Sequence, residues 1–162
     1  MRNDRGFTVL ELVIVIAIMS LLAVGAITGS SILTNGDTRK AANAIINSLD
    51  LIQIENMAKG SDYRITISQD SNGDYYLNTL CDETIISSER LKLKNGSISY
   101  ETLDKKTISV TGSNKLELAF RKDTGGVKEN GSGQIITAII ISGADNSMTI
   151  RLITATGKHF IE

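Results

Sequence analysis

From Phe7 to Gly29 the chain holds one ionisable side chain, Glu11, among leucine, valine, isoleucine and alanine. A carboxylate inside a membrane-type apolar run costs on the order of 2.5–3.5 kcal/mol on insertion scales, a cost that signals a specific partner. A cut after Gly6 would supply one, because Phe7 would then carry a free, positively charged amine in the same apolar layer. A helix keeps its own terminus near Glu11 but constrains the geometry, so the pairing suits the amine of a neighbouring copy shifted along the axis. Glu11 therefore favours staggered self-assembly. Gly6 fits the cut, since a residue without a side chain leaves the scissile backbone open to an enzyme at the membrane surface.

The element that must carry these residues is a helix. At about 1.5 Å per residue, a helix over 7–29 is roughly 35 Å long, enough to cross a hydrocarbon core of about 30 Å with some tilt. An ordinary secretory signal would also start with basic residues, here Arg2 and Arg5, and Ala23-Val24-Gly25-Ala26 imitates its cleavage site. That alternative leaves Glu11 unexplained.

The stretch Arg5-Gly6-Phe7-Thr8-Val9-Leu10-Glu11-Leu12 resembles the class III leader junction of type IV pilins and type II secretion pseudopilins. The resemblance implies cleavage between Gly6 and Phe7 by a membrane prepilin peptidase, N-methylation of Phe7, and Phe7 and Glu11 as the assembly residues. It implies as partners other pilin or pseudopilin subunits, the peptidase, an inner-membrane assembly platform and, before assembly, the membrane itself. The chain would sit as a single pass in the cytoplasmic membrane with its head outside the cytoplasm, then move into a filament.

The 162 residues suit one domain plus an anchor. Lys and Arg number 17 against 18 Asp and Glu, a net charge of −1; loss of Arg2, Asp4 and Arg5 with a leader would make it −2. Such a balance leaves no nucleic-acid footprint. Lys92, Lys94, Lys105 and Lys106 are interleaved with Glu89, Glu101 and Asp104, and only Tyr100 offers a base a stacking platform, so nucleic acid is not an expected partner. The single Cys81 cannot form an internal disulfide and reads as a small buried or half-buried residue. Many pilins have a C-terminal disulfide loop, and this chain departs from them.

After the apolar run, Ala42, Ile45, Ile46, Leu49 and Ile52 recur at helical spacing, with Asn43, Asn47, Asp50 and Gln53 on the other side. A stripe of this width packs naturally on a sheet, and Gly60 ends the helix. Gly25, Gly29 and Gly36 make the middle of this helix its softest stretch, at about 1 kcal/mol each relative to alanine. From Tyr63 the period changes to two. Strands are predicted over 63–68, 75–80, 89–93, 97–100, 107–110, 116–120, 134–141 and 148–154, the first two joined by a turn at Ser71-Asn72-Gly73-Asp74. The near-continuous apolar run from Ile135 to Ile141 predicts a strand covered on both faces, at the centre of the head. The expected organisation is a leader over 1–6, a transmembrane assembly helix over 7–29, its amphipathic continuation over 30–60, and a β-rich head over 61–162. The fold class is α+β, a long N-terminal helix packed on an antiparallel sheet in the ladle-like form of a pilin. The order of head features, from Met57-Ala58-Lys59-Gly60 through Leu118-Ala119-Phe120 and Asp123-Thr124-Gly125-Gly126 to Ile150-Arg151-Leu152-Ile153, is similar to the minor pseudopilin subgroup typified by the H component.

Elsewhere the chemistry is thin. Asp70, Asn72 and Asp74 alternate like calcium ligands, but Gly73 falls too early for an EF-hand and the bidentate Glu is missing, so a solvated hairpin turn is expected. The glycines of 123–126 and 130–133 open no helix and predict a mobile loop rather than a phosphate cradle. His159, the only histidine, assembles no catalytic or metal set and is expected at the surface. No cofactor and no metal are anticipated. The expectation is a non-enzymatic structural subunit of a type IV pilus or pilus-like filament. Its alternatives are a secretion or competence pseudopilin and, from a different class, a membrane-tethered hydrolase or binding domain.

Overall fold

The computed structural model describes residues 9–162 apart from Lys59, Lys94 and Asp145, and describes no side chain for Glu11 or for residues 20–35. Helical backbone, α1 (Val9–Ala58), precedes antiparallel strands, so the chain is α+β. It divides into two units, Met1–Leu33 and Thr34–Glu162. The second unit holds β1 (Tyr63–Gln69), β2 (Tyr75–Cys81), β3 (Thr84–Leu91), β4 (Ser97–Thr102), β5 (Thr107–Ser109), β6 (Leu116–Ala119), β7 (Ile136–Ser142), β8 (Ser147–Leu152) and β9 (His159–Ile161).

Within this unit the predicted stripe packs as its spacing demands. Ala41, Ala42, Ile45, Leu49 and Ile52 are buried in one cluster with Ile65 and Ile67 of β1, Leu116 and Leu118 of β6, and Ile98, Ile139 and Ile150 of the other sheet. Each fully buried aliphatic side chain contributes about 1.5–3 kcal/mol, so this stripe is what holds the helix on the sheets. The last turn adds a polar fastening: buried Asn56 accepts from Tyr63 N at 2.7 Å and donates to Tyr63 O at 2.6 Å, as a strand neighbour would. Asn56→Ala is expected to lower stability by about 2–4 kcal/mol, because two buried bonds vanish and the backbone polar groups of Tyr63 lose their side-chain partner. Urea unfolding of the full chain in detergent measures it; an unchanged midpoint would contradict it.

The single expected sheet is two. One has the order β3-β2-β1-β6, the other β5-β4-β7-β8-β9. Each contains a pairing between distant segments, β1 with β6 and β4 with β7, and partner choice of this kind is not written in strand periodicity. β7 lies at the middle of its sheet, as expected, with Ile136, Ala138, Ile139 and Ile141 buried and Thr137 and Ile140 half-buried. Its cover is thus complete on the core face and partial on the other.

Strand limits differ most at β3, which starts at Thr84 rather than at 89. The β2–β3 turn is Asp82-Glu83, both with positive φ (45° and 73°), an arrangement that usually selects asparagine or glycine. Tertiary partners hold it: Asp82 Oδ1 accepts from Asp62 N at 2.8 Å, and Glu83 pairs with Arg64. The same bond from Asp62 N lowers the Asp82 carboxyl below its usual range. The first hairpin turn forms where predicted. Asp70 Oδ1 accepts from Asn72 N and Asp74 N at 2.9 and 2.8 Å, and Gly73 takes φ +86°.

The C-terminal segment is closed without a disulfide; Cys81 is free and half-buried. Gln53 Nε2 on α1 donates to Gly125 O and to Thr156 O, each at 3.0 Å, and Val127 N donates to Thr154 O at 2.8 Å. Gly125 and Gly126 are buried beneath the 154–157 turn, where a Cβ on Gly126 would lie 2.7 Å from Ala155 O. The glycine loop expected to be mobile is therefore a packed element of the closure. Its glycines are required by backbone approach, not by looseness.

Candidate functional site

The candidate site is the N-terminal junction. Gly6 and Phe7 lie outside the described residues, and so does the side chain of Glu11, whose backbone is helical in α1. Around Glu11, Val9, Leu10, Leu12, Val13, Ile14, Val15, Ile18 and Met19 are all exposed, Val9 to 82 % and Leu10 to 71 %. Apolar residues on every side of a helix leave no polar face to turn to water. A surface of this kind requires lipid or other chains to cover it. Among the described residues no helix is long and apolar enough to cross a membrane; the predicted span over 7–29 falls largely on residues whose side chains are not described.

Residues 1–27 match the family model described as the prokaryotic N-terminal methylation motif. The N-terminal segment is a class III prepilin leader. Such a leader is that of type IV pilins and pseudopilins. It implies processing by prepilin peptidase, anchoring in the membrane before assembly, and assembly with other pilin subunits. The prepilin match covers Gly6, Phe7 and Glu11 together with most of the apolar run, and stops before the head. No match is found among curated proteins or among solved structures.

The head offers charged clusters whose members satisfy one another. A cleft of about 200 Å³ is lined by Asp62, Arg64, Glu117, Lys128, Glu129 and Asn130, among others. Arg64 pairs with Glu83 and, at 3.2 Å, with Glu117; Lys128 reaches Asp62 at 3.4 Å. Glu83 chiefly, with Glu117, holds the Arg64 guanidinium still more firmly in its charged form. A cleft neutralised from within has little left to attract an ion. The Asp70 turn is likewise spent: Asp70 caps backbone N–H groups and Asp74 pairs with Arg90 at 2.7 Å. Among the described residues no group of His, Cys, Asp and Glu is placed to hold a metal.

The C-terminal region differs from expectation. His159 is not a surface residue: its side chain is 3 % exposed. The three-residue strand that carries it is too short for periodicity to reveal, and its partners, on α1 and at the end of β6, are remote in sequence. Gln53 and Asn56, read at most as polar-face residues, are the side chains that bind the helix to the loops. The signal that could have found them is an amide close to a buried stripe, where a solvent-facing position would more often carry a charge.

Proposed function

We propose that this chain is a non-enzymatic structural subunit of a type IV pilus or pilus-like filament. It inserts as a single membrane span, is cut between Gly6 and Phe7, is N-methylated on Phe7, and joins the filament through its N-terminal helix. The observation that carries this is the methylation-motif match over residues 1–27, with Glu11 as the lone carboxylate of the apolar run. On this proposal α1 acts as one continuous rod, its first part in membrane or filament and its second part against the sheets. Leu51, Ile54 and Met57, exposed on the side of α1 away from the core, extend the apolar surface that neighbouring subunits cover. The order of head elements supports a minor subunit, for which abundance relative to other subunits in isolated filaments is the measure.

Mass spectrometry of the chain extracted from membranes of a peptidase-competent host is expected to find an N-terminus at methylated Phe7, with residues 1–6 gone. An intact Met1 in that host would overturn the processing claim.

A further inference from the structure

His159 is the chain's one histidine, and its ring is enclosed. The ring stacks on Phe120 with centroids 6.1 Å apart and planes at 25°. Nδ1 lies 2.9 Å from Gly157 O, and Nε2 lies 3.1 Å from Asp50 Oδ1 on α1. A carbonyl and a carboxylate are both acceptors with no hydrogen to give. A neutral imidazole carries one N–H, so either tautomer turns a bare lone pair on one of these two oxygens. With the proton on Nδ1 the bond to Gly157 forms, and buried Nε2 is left with no hydrogen-bond partner. Only the imidazolium, with N–H on both sides, meets both oxygens.

We infer that His159 is a proton-binding site that locks the C-terminal strand to the helix: protonation bridges Gly157 O and Asp50 through the ring, and deprotonation releases the Asp50 side. The elements packed around the ring present it with one charge at ion-pair distance among the described residues, Asp50. From β8, Leu152 lies opposite His159, and Arg151 is committed to Glu101 and Glu162. From the end of β6 comes the Phe120 ring, and α1 also brings the neutral Gln53, which donates elsewhere. On its own segment Lys158 is exposed. Asp50 is 60 % exposed, so on release its carboxylate turns to water and the rearrangement stays local.

The sign follows from which state holds the proton. In the unfolded chain ring and carboxylate are apart, whereas the folded head gives the imidazolium two acceptors. The folded state thus binds the proton more strongly, and the added stability is present below about pH 6.5, histidine's ordinary value, and is lost as pH rises above it.

Because there is one histidine, its ring nitrogens can be followed without ambiguity by nitrogen–proton correlation on the full chain in detergent. At pH 5.5 both nitrogens are expected to be protonated, and the charged ring should persist to higher pH in the wild type than in Asp50→Asn. The amide introduced there can donate to Nε2 and so satisfies the neutral ring. Raising pH from 5.5 to 8 should lower the thermal midpoint of the wild type by on the order of 3–6 °C more than that of Asp50→Asn. A ring with one protonated nitrogen at pH 5.5 would overturn the inference from the wild type alone. Identical titration and identical midpoint shifts in the two proteins would overturn it as well.

Discussion

Gly157→Ala is expected to cost the head about 4 kcal/mol or more, a large part of a total that for most domains is 5–15 kcal/mol. Two effects add. Gly157 has φ +68°, where an alanine pays about 1–2 kcal/mol for its left-handed conformation. In addition, a Cβ there would overlap Gly125 O and lie 2.8 Å from the Phe120 ring and 2.5 Å from Gln53 Nε2. Gly125 O belongs to backbone already gripped by Gln53, so neither loop can withdraw without breaking the closure. Gly133 separates the two effects: its φ is +72°, yet nothing lies within 4 Å of a Cβ placed on it. Gly133→Ala should therefore lose only the conformational cost. Urea unfolding of both variants in the full chain, read by circular dichroism, gives the comparison. Equal losses would mean that the loops are not packed as described.

The same contrast explains what could be read in advance. The helix stripe, the first hairpin and the central place of β7 were legible, because each rests on a local period or on a turn residue whose own conformational preference suffices. The β2–β3 turn was not, because Asp82 and Glu83 do not favour positive φ by themselves and are held there by Asp62 and Arg64. Nor was the closure, in which Gln53, Gly125, Thr156 and His159 become neighbours only after both sheets have formed. A glycine required by close backbone approach looks in sequence like one required for looseness, and so the 123–126 loop was misjudged. The N-terminal junction escapes this difficulty. Its chemistry, a cut and a charge in an apolar run, lies in consecutive residues and needs no fold to be recognised.

Glu11→Ala is expected to move insertion and assembly in opposite directions. Removing the carboxylate lifts an insertion cost on the order of 2.5–3.5 kcal/mol, so the variant should enter the membrane at least as well as the wild type. The Gly6–Phe7 cut lies outside the substituted position, and cleavage should continue. In the filament, however, the amine of Phe7 would lose its counter-charge. Leaving one member of a buried ion pair uncompensated costs roughly 3–5 kcal/mol, equivalent to about a hundredfold or more in incorporation. Glu11→Gln sharpens the test: it keeps the shape and a hydrogen-bonding oxygen but not the charge. If charge pairing draws subunits together, glutamine should fall much closer to alanine than to the wild type. Quantifying each variant in sheared filaments against its membrane pool gives the ratio. Normal incorporation of Glu11→Ala would remove the assembly role from this carboxylate, and normal incorporation of Glu11→Gln alone would replace the ion pair with a neutral hydrogen bond. Because the head is untouched in both variants, its unfolding midpoint should match the wild type, which separates failed assembly from failed folding.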